Sequence, residues 1–492
     1  MKMNTNAASG RMLVWTLGIV AFIRFITMGL YPLTDTTEAR YAEVARKMVE
    51  LGDWITPWYD YGVPFWAKPP LSTWLTAFSI KLFGVNEFAA RLPYFLLAVL
   101  IAWLVWDWVR RSGKREALLA VALLSGTMLY FIASAAVMTD LGLVLGTSLA
   151  MRGFWARFES TDSPRHREVW LLFIGLGLGL LAKGPIAIVL SGIPIVIWAV
   201  VTGNIANTWK NIPWIKGALV TLAIAAPWYW LAEIRTPGFW DYFFIGEHWK
   251  RFTVTGWAGD KYGTAHATAR GAIWLYALAA CLPWTVLLPL LAIGRKASTN
   301  EALVASPDKA AKRLWTIYLL SWAIAPCLFF TVAGNILWTY VLPALPALAL
   351  LAAGWLAGDS RIRRVDGLVS AGMVAMALLV GSYFFNEQTA DSWKTAKSIV
   401  LEHRVRSADD QPLLFVGDLP YSASFYSQGK AKAVASNTDL VKHLDLLHHQ
   451  NRLFVALNPD QVRAMPEILK SRLQLEAQSG AYTLYASVRK PD

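Results

Sequence analysis

Charge is scarce in this chain. Only 16% of its 492 residues are Asp, Glu, Lys or Arg, against roughly 25% in a soluble globular protein. Cysteine is nearly missing as well, and two in the whole chain cannot staple a disulfide scaffold. Low-complexity tracts and an internal repeat are absent, which argues against a disordered, fibrous or repeat protein. What is abundant is apolar: 56% of the residues are hydrophobic and 25 are Trp. That composition describes a polytopic membrane protein with a modest soluble part. The net charge of +13 would suggest nucleic acid in a soluble protein. Here most of it falls in loops that orient a membrane protein, so nucleic acid is not expected as a partner.

A spanning helix needs about 20 mostly apolar residues. Ala117–Thr139, Gly271–Gly294, Gly367–Asn386 and the double-length run Leu314–Gly358 hold no Asp, Glu, Lys or Arg. Gly334-Asn335 is the expected turn in the last of these. Leu13–Tyr31, Leu92–Val109, Leu141–Phe158, Trp170–Ala182, Ile186–Val201 and Gly217–Leu231 complete a count of about 11 helices. Arg152 cuts the Leu141 run short unless its head reaches the interface, and Arg24 lies inside the first run. Basic residues recur on alternate loops: Lys2 and Arg11; Arg110, Arg111, Lys114 and Arg115; Arg157, Arg165 and Arg167; Arg295 and Lys296; Arg361, Arg363 and Arg364. The positive-inside rule places these loops and the N-terminus in the cytoplasm, and an odd helix count then sends the C-terminus outside.

Three outer segments are too long to be turns: residues 32–91, 234–270 and the tail. A domain boundary is expected at residue 386, with membrane helices over 1–386 and an outer α/β domain over 387–492. In that tail Leu413–Val416, Leu453–Leu457 and Tyr482–Ala486 read as strands. Leu440–His448 and Asp460–Leu469 read as helices, the second started by Asn458-Pro459. His443, His448 and His449 read as a solvated helix face.

The first outer segment carries the densest chemistry. In Asp35-Thr36-Thr37-Glu38-Ala39-Arg40-Tyr41, Thr36 or Thr37 can cap a helix whose first turn holds Glu38. The plain reading is an amphipathic helix on the bilayer with its charges in water. Further on, Lys68 stands between Trp66 and Pro69-Pro70. It is either an interfacial anchor or a cation held still for a phosphate.

These motifs resemble the first periplasmic loop of the polyprenyl-phosphate-dependent GT-C glycosyltransferases, nearest to the lipid A aminoarabinose transferase branch. The resemblance covers roughly the first 350 residues. It continues through Asp140, Leu181-Ala182-Lys183-Gly184-Pro185, Ala226-Pro227-Trp228-Tyr229, Glu247-His248-Trp249-Lys250-Arg251-Phe252 and Thr339-Tyr340-Val341-Leu342-Pro343, in the family's order. It implies a GT-C fold of membrane helices with a long first outer loop and a small periplasmic domain, in the inner membrane. It also implies transfer of a sugar from a polyprenyl-phosphate donor to an envelope acceptor, lipid A or a related glycolipid. Two departures stand out. The family's Asp before the first-motif Glu is Thr37 here, so Asp35 or Glu38 takes that role. The Glu that can help hold a metal before the Lys-Pro motif is Ala67 here, so no metal using His248 is expected, and no cofactor.

On this resemblance Asp35, Glu38 and Asp140 are the expected catalytic carboxylates, if the outer turns converge. A phosphate leaving group calls for fixed cations and phenolic donors, and Lys68, Arg251, Tyr340 and Arg40 are expected there. Tyr41, Lys183 and His248 are expected as possible substrate contacts. Two alternatives remain: a protein O-glycosyltransferase, and a lipid-linked sugar flippase, which would show charges near the midplane and repeat symmetry.

Overall fold

The structure is a computed structural model that describes residues 3–159, 166–263, 266–293, 295, 307–386, 394–407, 411–446 and 452–488. Lys2, Arg165, Lys296, His448 and His449 lie outside the described residues. Contacts divide the chain into two compact units. One comprises residues 1–25, 55–72 and 94–380; the other comprises 26–54, 73–93 and 381–492.

The first unit is helical. Among the described residues, six helices of the chain are long and apolar enough to span a membrane, ending with Trp338–Ala357 and Ile362–Phe385. The pair Ala272–Ala280 and Trp284–Ala292, bent by 75°, makes a seventh if it is one span. Pro283 stands at that break, where a missing backbone donor suits a bend. The expected count of about 11 is not confirmed among the described residues. Asp140–Trp155, Trp170–Lys183 and Ile186–Val201 form where expected but have only 16, 14 and 16 residues. The expected span Ala117–Thr139 is two helices, Lys114–Ser125 and Met128–Ala133. Between them Thr127 is extended and Gly126 lies against Met373 and Trp284, where a Cβ would come within 2.7 Å of either.

The short helices hold together through small residues. A Cβ on Gly146 would sit 2.7 Å from the Gly175 carbonyl, so the helix Asp140–Trp155 lies almost backbone to backbone on Trp170–Lys183. Close contact between glycine faces is how helices pack where no hydrophobic drive separates them from lipid. Arg152 is buried and donates to Asp107 at 2.7 Å and Glu168 at 3.1 Å. Arg24 donates to the Ile132 carbonyl at 3.0 Å and lies 4.9 Å from the Phe131 ring centre. Its role is thus a pairing with the end of another helix.

The second unit contains the tail domain. Its five strands run in the spatial order Lys432–Val434, Leu413–Val416, Phe454–Leu457, Tyr482–Ser487 and Leu473–Ser479. The first three are parallel and the last two join antiparallel. Phe415, Phe454 and Leu484 face one core with Ile399 and Phe425; Leu414 and Val455 face another with Leu440 and Leu469. The alternation of these faces is the period-2 signal of a sheet covered on both sides. Two of its strands, Lys432–Val434 and Leu473–Ser479, are too polar to read from sequence. Asn458 starts a helix through a reciprocal capping box with Gln461, both bonds at 2.9 Å. That helix ends at Arg463, and Glu467–Lys470 follows Pro466 as a separate turn.

In the same unit the helix Thr37–Leu51 packs on Tyr421–Ser427. Thr36 stands at its N-cap in helical conformation, and its side chain makes no capping bond. The charges of this helix are not all in water: Glu43, Arg46 and Lys47 are buried, and Arg46 pairs with Glu43 at 2.7 Å.

Candidate active site

The helix-helix contacts of the first unit place the ends of several segments around one cavity of about 480 Å³. Six residues singled out in the sequence line it: Lys68, Asp140, Lys183, His248, Arg251 and Tyr340. They come from 55–72, from the N-terminus of Asp140–Trp155, from the C-terminus of Trp170–Lys183, from the π-helix Asp241–Lys250 and the residue after it, and from the turn Trp338–Ala344.

The cations are tied to acids. Lys68 contacts the Glu247 carboxylate and donates to the Ala67 carbonyl at 2.7 Å. Arg251 donates through Nη1 to both Glu247 oxygens at 3.0 Å, and the same nitrogen lies 3.2 Å from Asp260. Lys183 donates to Asp140 at 2.6 Å, and its ammonium lies 4.7 Å from the centre of the Tyr340 ring. Its charge therefore goes to Asp140 rather than to its own helix end. Three cations, Lys68, Lys183 and Arg251, thus face three carboxylates, Glu247, Asp140 and Asp260. Burial alone would raise the Glu247 carboxyl, but the charges and hydrogen bonds of Lys68 and Arg251 hold it below the ordinary value.

His248 is neutral for a converse reason: burial lowers its imidazole below the usual range, and the Lys68 charge adds to that. Its Nδ1 lies 2.7 Å from the Phe243 carbonyl and its Nε2 lies 3.3 Å from the Lys183 carbonyl. The shorter contact fixes the proton on Nδ1. Gly184 allows this packing. Its φ is +84°, and a Cβ there would meet Phe243 at 2.7 Å and His248 Nε2 at 2.9 Å. With both ring nitrogens against carbonyls and Ala67 offering no ligand, these residues do not fit a metal ion.

The remaining expected residues lie in the other unit. Asp35 accepts hydrogen bonds from the Ser422 backbone at 3.0 Å and from its hydroxyl. Burial raises its carboxyl above the ordinary value despite these bonds. Glu38 is held by Arg91 through two bonds of 2.8 Å. Arg40 lies 5.4 Å from the ring centre of buried Tyr41 and 6.0 Å from that of Tyr421. The structure thus brings together six of the ten expected residues. Glu247, Asp260 and Asn335 were not singled out. Glu247 precedes His248 in its motif, and the run itself does not set this acid apart from the basic residues Lys250 and Arg251 beside it. Asn335, read only as a turn, bonds the Arg251 and Val254 carbonyls at 2.7 Å and so fixes the end of the Arg251 segment.

Residues 16–243 match the family model described as dolichyl-phosphate-mannose-protein mannosyltransferase. The chain is 32% identical over 372 residues to an undecaprenyl phosphate-alpha-4-amino-4-deoxy-L-arabinose arabinosyl transferase of Edwardsiella ictaluri, covering 71% of this chain and 62% of the relative. It is 33% identical over 387 residues to the enzyme of that name from Aeromonas salmonicida, covering 74% and 65%. These matches span less than two thirds of the relatives' own length. In fold, the chain is similar to crystal structures of ArnT from Cupriavidus metallidurans. With undecaprenyl phosphate bound, the TM-score is 0.78 at 21% identity, over 97% of this chain and 99% of the other. Against the apo form it is 0.76, over 99% and 100%.

Proposed function

We propose that this multi-pass membrane protein is a GT-C glycosyltransferase of the aminoarabinose transferase branch and that it moves a sugar from a polyprenyl-phosphate donor to a lipid A-like envelope glycolipid. The observation that carries this reading is the convergence of Lys68 and Arg251 on one side of a cavity that also holds a carboxylate, Asp140, fixed by Lys183. Lys68 and Arg251 receive the donor phosphate and stabilise the negative charge that grows on it as the sugar leaves. Asp140 orients the acceptor hydroxyl and takes its proton. Tyr340 supplies a phenolic donor beside them. No step in this scheme uses a metal or a cofactor.

Asp35, Glu38, Arg40 and Tyr41 complete the proposed set from the first outer segment. Asp35 and Glu38 already have partners in Ser422 and Arg91, which supports a share in shaping that segment besides any share in the chemistry. The proposed topology is an inner-membrane protein with a cytoplasmic N-terminus. Membrane helices occupy 1–386, and 387–492 form a periplasmic domain. Basic residues on alternate loops support this orientation. A phosphatase fused at the C-terminus should be active, and an active cytoplasmic reporter there would overturn it.

A protein acceptor is the second reading, favoured by the description of the matching family model. Mass spectrometry of envelope lipids and glycoproteins, with and without the gene, separates the two. A sugar missing only from glycolipid supports the first, and one missing only from protein supports the second.

A further inference from the structure

Glu247 presents a puzzle. An anion sits in direct contact with both cations that are to receive a phosphate. Its side chain is 4% exposed, while those of Lys68 and Arg251 are 18% and 17% exposed. The carboxylate therefore lies beneath the cations and does not fill the space in front of them. Both of its oxygens are occupied, Oε1 by Lys68 and Arg251 and Oε2 by Arg251. Lys68 has three N–H bonds and uses two, on Glu247 and Ala67. Arg251 makes its ion pairs through Nη1. Among the described residues nothing else bonds these two side chains, so one ammonium hydrogen and the Nε and Nη2 edge of the guanidinium are left for an anion in the cavity.

The proposed reaction changes the charge of that anion. The donor is a phosphodiester and carries one negative charge. Transfer forms a bond between the acceptor oxygen and the anomeric carbon and breaks the bond from that carbon to the phosphate oxygen. The hydroxyl proton passes to Asp140 and then to water. The phosphate leaves as a monoester, whose second proton dissociates near pH 6. Donor and proton-bearing acceptor thus become a neutral glycoside, a dianion and a proton. A site with two unbalanced cations would grip the dianion harder than the monoanion and so retain its own product. We propose that Glu247 is a positioning and charge-setting residue that keeps the Lys68–Arg251 site weak enough to release the phosphomonoester product while still accepting the phosphodiester donor. This inference rests on the proposed function and adds a control of product release to it. Asp260, on the same Arg251 nitrogen, acts in the same sense.

The test compares two affinities in one purified, detergent-solubilised protein: undecaprenyl phosphate as product, and the undecaprenyl-phosphate sugar as donor. Glu247→Gln keeps the shape and removes the charge. It is expected to tighten product binding about tenfold more than donor binding, the size of one charge acting over about 6 Å in a partly solvated site. Steady-state turnover should fall while a burst of first-turnover product appears, because release becomes limiting. Glu247→Asp keeps the charge, so its product-to-donor ratio should stay at the wild-type value even if both affinities weaken. Asp260→Asn should move the ratio the same way as Glu247→Gln and serves as the measurement if that variant folds poorly. Equal shifts for donor and product, or a ratio that follows Glu247→Asp as much as Glu247→Gln, would overturn the inference. If the wild type binds both lipids but transfers no sugar, the proposed function fails, and the binding ratio still decides the role of Glu247.

Discussion

Arg91 holds Glu38 with two parallel hydrogen bonds of 2.8 Å, and none of its own side chain reaches solvent. The same guanidinium donates to the Met28 and Tyr31 carbonyls at 2.7 Å and to Pro32 at 2.9 Å. It therefore ties the segment that follows the helix Met3–Thr27 to the start of Thr37–Leu51. Removing one partner of a buried pair leaves a charge with no compensation, which costs about 3–5 kcal/mol. Glu38→Gln should therefore lower the thermal midpoint and the turnover together. Arg91→Lys should be nearly as damaging, since an ammonium cannot serve five acceptor oxygens spread across a planar fork. Thermal unfolding in detergent checks both; a Glu38→Gln protein with an unchanged midpoint and no turnover would make the role of Glu38 purely chemical.

Asp140 is expected to behave differently. Among the described residues its ion pair is with Lys183, in a cavity open to ligand. Asp140→Asn should reduce turnover about a hundredfold or more, the scale of lost acid-base or electrostatic catalysis, with little change in the thermal midpoint. Lys183→Met should also depress turnover, because it releases the carboxylate from its fixed position. Single-turnover rates at saturating donor measure the effect; full activity in Asp140→Asn would remove this residue from the mechanism.

Local signals made much of this legible. Charge-free runs announce the spanning helices, and the order of motifs announces the family. Lys68, Asp140, Lys183, His248, Arg251 and Tyr340 could be gathered only because the motifs that carry them are recognisable one by one. Sequence does not show which ion closes on which, and so Glu247 passed unnoticed. Its importance lies in a contact with Lys68, 179 residues away. The helix boundaries were hard to read for a related reason. Gly126 and Thr127 interrupt an unbroken apolar run, and at that break Gly126 lies against Met373 and Trp284, a tertiary contact that the local sequence does not show. Polar edge strands such as Leu473–Ser479 carry no alternation strong enough to read.

His248 should give the protein a pH dependence. Its folded imidazole titrates below the ordinary value of 6.5, so the unfolded chain binds a proton that the folded one refuses. Stability rises with pH where the unfolded state holds more protons. The contribution is therefore intact above about pH 6.5 and declines as pH falls from there toward the depressed folded value. The depressed Glu247 carboxyl adds a second loss of the same sign, beginning below its ordinary value of 4.5. Thermal midpoints from pH 7.5 to 5.5 should fall more steeply in the wild type than in His248→Gln. Equal slopes would mean that the folded ring titrates at its ordinary value, as it does in the unfolded chain.

Lys68 decides between an anchor and a phosphate ligand. An anchor would direct its ammonium to the bilayer surface, yet this ammonium turns inward to Glu247 and the Ala67 carbonyl. Pro69 and Pro70 follow it and restrict the backbone that carries it. A charge-assisted contact to phosphate is worth about 1.5–3 kcal/mol, so Lys68→Met should weaken donor use roughly ten- to a hundredfold. It should also leave Glu247 with Arg251 alone. Lys68→Arg keeps the charge but replaces a compact head by a wider planar one. In a site where the ammonium already meets two acceptors, that variant should be impaired as well. The assay is the apparent donor constant of purified protein at fixed acceptor. If Lys68→Met leaves both that constant and the turnover at wild-type values, the phosphate rests on Arg251 and Tyr340, and Lys68 serves only to hold Glu247 in place.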